Sequence, residues 1–291
     1  MDILAIVLGA IFLTMKNYFI AVLDIGKTNK KLVIYDQDLQ IIHKRSTQIE
    51  EVEIDGILQD DLKAIDDWII TELGNINKQY PIKVISISAH GATCACLNDS
   101  GELAIPQLSY TIDPGQKFHD DFFEHFGSRL ELQLTTGTPD FNLLLNMAKA
   151  IYYAKINFPD GFNNIRHILN LNQYLGYKLT GVAGAEPTYI GSHTYLWDFK
   201  KGYWSDVAEK LGIKPLLPEK INNPWDVLGK ILPDIAARTG LDEDTIVTYG
   251  IHDSNAALLP YLISMKEDFV LNSTGTWCVV MHEQKKVHFL S

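Results

Sequence analysis

The stretch "AVLDIGKTNKKLVIYD" (Ala21 to Asp36) admits two readings with opposite consequences. Its first eight residues fit a permissive phosphate-loop pattern: Ala21, four residues, then Gly26-Lys27-Thr28. Such a loop requires a strand, a glycine-rich turn and then a helix whose N-terminus faces the phosphates. Here the four intervening residues, "VLDI", are the end of a strand. After "GKTNK" comes "KLVIYD" (Lys31 to Asp36), short, β-branched and polar at its borders, which reads as a second strand. "LQIIHKRSTQI" reads as a third. The turn therefore sits in a β-hairpin, and the helix-dependent reading fails.

A hairpin turn can bind phosphate by another route. Gly26 lets the backbone approach a ligand closely, and successive N–H groups form an anion-binding nest. Lys27, Lys30 and Lys31 add positive charge, and Asp24 at the strand end can hold a hydrated Mg2+. A plain hairpin with a solvated basic tip would carry the same residues, so the hairpin alone leaves both readings open.

Composition narrows the field. A chain of 291 residues with 46% hydrophobic content can bury a sizeable core, in one large domain or two smaller ones. The formal net charge of -11, with both signs interleaved, repels polyanions and argues against nucleic acid or an acidic membrane as main partner. Cys94, Cys96 and Cys278 form neither a disulfide framework nor a CxxC pair, which points to a reducing compartment, most simply the cytoplasm. "ILAIVLGAIFL" (Ile3 to Leu13) is about half the length of a membrane span. Asp2 is its only early charge, against a signal peptide. "MKNYFIAVLDIG" from Met15 would itself open a domain on a buried strand. Residues 1–14 are therefore expected to be a non-native or disordered upstream extension, with no membrane partner.

Further along, an amphipathic helix from about Asp60 to Gln79 precedes "IKVISISAHGATCACLNDSGEL". That segment reads as a buried strand (Val84 to Ser88), a turn at His90-Gly91 and a return strand carrying Cys94 and Cys96 on one face. His90 falls where a parallel strand would end, the usual place for ligand contacts in open α/β sheets, although a lone histidine is more often structural. From about Tyr110 to Gly240 the chain is richer in helices and aromatics. "NLLLNMAKAIYYAKI" has helical spacing, "HILNLNQYLGYKLTG" runs to a glycine stop, and Trp197, Tyr203 and Trp204 read as packing residues. The strand "TIVTYG" then leads into "IHDSNAALLPYL", placing Asp253 at a strand-to-helix junction beside His252. An N-cap role would suit that aspartate equally well. "DFVLNS" and "TGTWCVVM" repeat the logic of the first hairpin, with Thr274-Gly275-Thr276 between two strands.

Two strand–turn–strand phosphate devices, with an acid just before the second, form a constellation. In "DIGKTNKK", "GIHDSNAAL" and "LNSTGTW" the chain resembles the FGGY carbohydrate kinases of the actin-like ATPase superfamily, most closely their rhamnulokinase branch. The spacing of "YKLTG…AEPT", "YLWDFKKGYWSD" and "LPEK…VLGKI…ARTGL" follows the same family. The resemblance implies an α/β fold: an RNase H-like first domain with a helical insertion over 15–245, and the truncated start of a second domain of the same type over 246–291. It implies ATP-dependent phosphorylation of a ketose or related sugar (rhamnulose-, fuculose- or xylulose-like), with sugar and Mg-ATP as partners and a homodimer left open. Asp253 would be the general base. Asp24, Gly26, Lys27, Thr28, Asn29, Lys30 and Lys31, with Thr274, Gly275 and Thr276, would meet the ATP phosphates, Asp24 holding Mg2+ through water. His90, Gly91, Asp113, His252, Asp253 and Ser254 would meet the sugar.

The chain also departs from the family pattern. Lys27, Asn29 and Lys31 stand where small or hydroxyl residues and a final Arg are usual, so charge is kept but the bidentate fork is lost. Many relatives have an Asp-x-Arg sugar clamp where "SYTIDPGQ" keeps Asp113 without the Arg. Family members continue into a glycine-rich adenine-binding half, so a fragment is expected here. A catalytically inactive sugar-binding or regulatory remnant is the competing reading. Asp24 and Asp253 as a glycosidase pair is set aside, because hydrolysis needs no phosphate turns.

Overall fold

Two-residue alternation along the first strand sets the architecture. In β1 (Phe19–Ile25), Ala21, Leu23 and Ile25 are fully buried on one face, while Ile20, Val22 and Asp24 take the other. The computed structural model describes residues 18–274 and 278–282; the 1–14 extension, Gly275 and Thr276 lie outside the described residues.

β1 pairs antiparallel with β2 (Asn29–Tyr35), which pairs antiparallel with β3 (Ile41–Gln48). β4 (Glu51–Ile54) and β5 (Ile57–Asp60) form a separate ribbon that leads into the helix α1 (Leu62–Asn77). The Asp61 carboxylate accepts the Ala64 N–H at 2.9 Å and caps α1. β6 (Ile82–Ala89) then lies parallel to β1 on the side away from β2. Much later, β11 (Val227–Lys230), β12 (Ile246–Thr248) and β13 (Ile251–His252) complete a seven-stranded sheet in the order β11-β12-β6-β1-β2-β3, with β13 also on β6. A division of the chain at residue 246 would run through this sheet.

The expected three-stranded start and the absence of a phosphate-loop helix are therefore seen directly. The expected return strand is not. β7 (Cys94–Leu97) pairs with β8 (His167–Asn170) and not with β6, so His90-Gly91 is an exit from the sheet and no hairpin turn. The run at His167 is correspondingly a strand before its helix, because "HIL" is apolar and must pair while buried.

α1, α6 (Leu171–Thr180) and α9 (Pro233–Thr239) cover the Ala21 face through Ile65, Ile69, Leu73, Leu175, Leu179 and Ile235. A second core, the helical insertion, gathers α2 (Gln116–Phe126), α3 (Arg129–Thr136), α4 (Met147–Asn157) and α8 (Asp206–Leu211) around Phe122, Ile151, Tyr195 and Trp204. The single turns α5 (Pro159–Phe162) and α7 (Pro187–Ile190) connect these elements. Trp197 in β9 (Trp197–Asp198) and Trp204 in β10 (Tyr203–Trp204) pack as expected, whereas Tyr203 alternates outward and is exposed.

α10 (Asp253–Ser264) leaves the sheet directly from β13. Beyond it, β14 (Val270–Thr274) and β15 (Cys278–His282) pair with each other as their own two-stranded ribbon.

Candidate active site

The parallel strands β1, β6 and β13 end side by side, and the candidate site residues gather at and just beyond those ends. That is where ligands bind open α/β sheets. Asp24 is the next-to-last residue of β1, His90 and Gly91 follow β6, and Asp253 follows β13. Between β12 and β13 the late segment has one residue more than β6 opposite it, and Gly250 absorbs the bulge at φ +78, where a β-carbon would stand 2.4 Å from the Ile87 carbonyl oxygen.

A cavity of about 640 Å3 opens at this edge. One wall is the first turn, with Asp24, Gly26, Lys27, Thr28, Asn29 and Lys31. His90, Gly91, His252, Asp253 and Ser254 form the floor, and Ser273, Thr274 and Cys278 approach from the β14–β15 ribbon. Ala92, Val279 and Val280 also line it, as do Tyr110, Phe141, Leu145 and His193. Sequence reasoning missed these four, which come from loops of the insertion with no motif to mark them.

Two expected site residues lie elsewhere. Lys30 does not line the cavity: strand alternation turns it inward, and its ammonium donates to the carbonyls of Lys27 (2.7 Å) and Ile49 (3.0 Å). Asp113 is exposed and accepts the Gly115 N–H at 2.8 Å, closing its own turn away from the cavity. The Gly26 N–H is also engaged, donating to the Asn29 carbonyl at 3.0 Å to close the hairpin.

The electrostatics separate the two lysines at the cavity. Lys27 is nearly buried between Asp60 (2.7 Å) and Glu51 (2.8 Å), over the Tyr110 ring. Burial opposes its charge, but Asp60 and Glu51 outweigh that and hold its pKa above the ordinary lysine value. Burial would likewise raise the Asp60 carboxyl, yet the nearby cations, Lys27 among them, hold it below the usual range. Lys31 pairs with Asp24 at 2.9 Å, and both side chains are more than one-third exposed.

Asp253 is the first residue of α10, and His252 occupies the N-cap position, so the capping role does not account for the acid. Burial raises its carboxyl, while the Ser254 N–H, 2.6 Å from Oδ1, partly offsets that. Burial pulls His193 and His252 down to about 4 and also lowers His90, so all three imidazoles are neutral near pH 7. Gly91 packs directly against His193 and His252.

A family model described as the FGGY family of carbohydrate kinases, N-terminal domain, matches residues 19–260. This chain belongs to that family. Among curated FGGY relatives it is 25% identical over 271 residues to a rhamnulokinase of Halalkalibacterium halodurans, covering 91% of this chain and 56% of the relative. It is 23% identical to an L-fuculokinase of Salmonella typhi, covering 92% and 57%. A carbohydrate kinase from Novosphingobium aromaticivorans superposes with a TM-score of 0.83 at 32% identity, over 92% of this chain and 56% of that one. A xylulose kinase from Lactobacillus acidophilus shares the fold, with a TM-score of 0.74 at 21% identity over 83% and 49%. The chain thus spans about half the length of the curated relatives it matches. The fold is that of the actin-like carbohydrate kinases, as expected. Among the described residues no helix is long and apolar enough to cross a membrane.

Proposed function

We propose that this chain supplies the sugar pocket and the catalytic base of an ATP-dependent kinase that phosphorylates a hydroxyl of a ketose or related sugar, rhamnulose-, fuculose- or xylulose-like. The observation that carries the reading is the position of Asp253, half-buried, in one cavity with Gly91 and the first phosphate turn.

A sugar lying over Gly91 and beside Ser254 brings one hydroxyl to Asp253. The hydroxyl oxygen attacks the γ-phosphorus of ATP, its proton passes to the Asp253 carboxylate, and the bond to the bridging oxygen breaks as ADP leaves. A carboxyl raised by burial is a stronger base than a solvated one, and positioned bases contribute typically about 10²–10⁴-fold. The neutral histidines supply hydrogen bonds without competing for the charge. Alignment and charge stabilisation do most of the rest in phosphoryl transfer.

On the phosphate side, Lys31, Thr28, Asn29 and Thr274 face the cavity. Lys27 acts mainly by fixing the turn, since its ammonium is already held by two carboxylates. Asp24 suits a hydrated Mg2+: it offers one half-exposed carboxylate at the cavity wall. Mg2+ keeps several waters and binds through one or two carboxylates plus phosphate, and when bound it neutralises phosphate charge. Adenine is expected to be held outside the described residues.

Sugar-dependent release of ADP from Mg-ATP by a version that joins this chain to an adenine-binding half, with Asp253→Asn as control, tests the assignment; the 291-residue chain alone is expected to turn over negligibly. The amide keeps the shape but cannot take the proton, so turnover should be lost while sugar affinity stays within several-fold. Retention of most of kcat in the variant would end the base assignment.

A further inference from the structure

Asn255 has a defined destination for both of its amide hydrogens. Its Nδ2 lies 3.2 Å from the Thr188 carbonyl and 3.0 Å from Nδ1 of His252, with Ser192 Oγ at 3.4 Å. A carbonyl oxygen only accepts, so the amide nitrogen must face Thr188; the reversed amide would set two oxygens against each other. The same nitrogen therefore donates to His252 Nδ1, which must present a lone pair. A neutral imidazole that accepts at Nδ1 carries its proton on Nε2. That Nε2 stands 3.4 Å from Oδ1 of Asp253.

The surroundings hold this arrangement in place. The Thr188 hydroxyl accepts the His252 backbone N–H at 3.1 Å while donating to Glu186 at 2.6 Å. Glu186 is fully buried and also accepts the Thr188 and Tyr189 N–H groups. Thr188 thus secures the histidine's backbone through its hydroxyl and the asparagine's amide through its carbonyl. Tyr189 and His193 stand edge-on to the His252 ring, with centroids 5.5 and 5.3 Å away.

We propose that Asn255 is a positioning residue that locks His252 as its Nε2–H tautomer, so that a fixed N–H donor, and never a lone pair, faces the Asp253 carboxylate. The other tautomer would turn a nitrogen lone pair toward a carboxylate oxygen, which repels it. At 3.4 Å the fixed N–H dipole points its positive end toward the charged carboxylate without closing a hydrogen bond. The value of this to catalysis rests on the kinase reading above; the tautomer itself does not.

Long-range 1H–15N correlation spectra of the 291-residue chain, labelled at histidine and recorded at pH 7 without ligand, read the tautomer directly. His252→Gln assigns the signal by its loss. The expected wild-type pattern is a protonated Nε2 and a lone pair at Nδ1. Asn255→Asp is nearly isosteric but can only accept, so it should draw a proton to Nδ1, giving either the opposite tautomer or the imidazolium. A wild-type His252 protonated at Nδ1, or a variant that keeps the wild-type pattern, would overturn the proposal. If the variant fails to fold, the wild-type spectrum alone decides. A chain that shows the expected pattern yet binds no L-rhamnulose, L-fuculose or L-xylulose would support the tautomer lock and count against the kinase reading.

Discussion

Gly91 packs against His252 so closely that a β-carbon at position 91 would stand 2.6 Å from Nε2. The same carbon would lie 2.8 Å from Cδ2 of His193. The His252 ring is buried, the His193 ring is half-buried, and each stands edge-on to the other, so neither can give way cheaply. Gly91→Ala should therefore destabilise the protein by about 1–3 kcal/mol through overpacking. It should also weaken sugar binding more than tenfold, because the rings that move are cavity walls. Denaturant titration beside calorimetry would measure both effects, and an unchanged protein would remove Gly91 from the site.

A second expectation concerns the buried ion pair under the first turn. Asp60→Ala leaves the nearly buried Lys27 ammonium with the partly exposed Glu51 alone. Breaking such a pair from one side costs about 3–5 kcal/mol. The surviving Glu51 partner should keep the loss toward the lower end. Urea unfolding of the variant would report it; a loss below about 1 kcal/mol would show that the pair is not structural.

Lys30 and Lys31, adjacent in sequence, should behave oppositely. Lys30→Met strips the donor from two backbone carbonyls, at a cost of about 1–3 kcal/mol, and should leave nucleotide affinity to the folded fraction unchanged. Lys31→Ala removes a half-exposed partner of Asp24, worth about 0–1 kcal/mol in stability. It should weaken Mg-ATP binding roughly tenfold or more, since charged hydrogen bonds to phosphate are the strong ones. Equilibrium nucleotide binding to the two variants would distinguish them, and the reverse ranking would contradict the placement of these side chains.

The pair Asp66–Tyr174 gives a pH signature. Burial raises the Asp66 carboxyl to about 6, although the Tyr174 hydroxyl donates to it at 2.6 Å. A folded pKa above the ordinary value means that the native state binds the proton more tightly than the unfolded chain. This group's contribution to stability therefore rises as pH falls from about 7 toward 4. Asp66→Asn should remove that component, so the variant's advantage over wild type should be larger at pH 7.5 than at pH 5. Parallel pH dependences would show that Asp66 does not titrate as described.

Much of this was legible in the sequence because the deciding signals are local. The "VLDI" and "KLVIYD" alternation and the single Gly26 give the hairpin, and "GIHDS" gives an acid after a strand. What was missed has more than one physical cause. Whether β7 pairs with β6 or with β8 depends on a partner some seventy residues away, which no local pattern records. Lys30 counted as basic in composition, but its face follows from register, and adjacent strand residues point to opposite sides. Asp113 carried a family expectation into a turn that satisfies its own carboxylate. His193 and Tyr110 reach the cavity only through the packing of the insertion.

Calorimetric titration of the 291-residue chain with L-rhamnulose, L-fuculose and L-xylulose tests the central claim, that the cavity floored by Gly91 and Asp253 is a sugar site, most directly. Saturable binding of at least one of the three is expected, kept within several-fold by Asp253→Asn and weakened more than tenfold by Gly91→Ala. No saturable binding of any of them, or binding that Gly91→Ala leaves untouched, would contradict it.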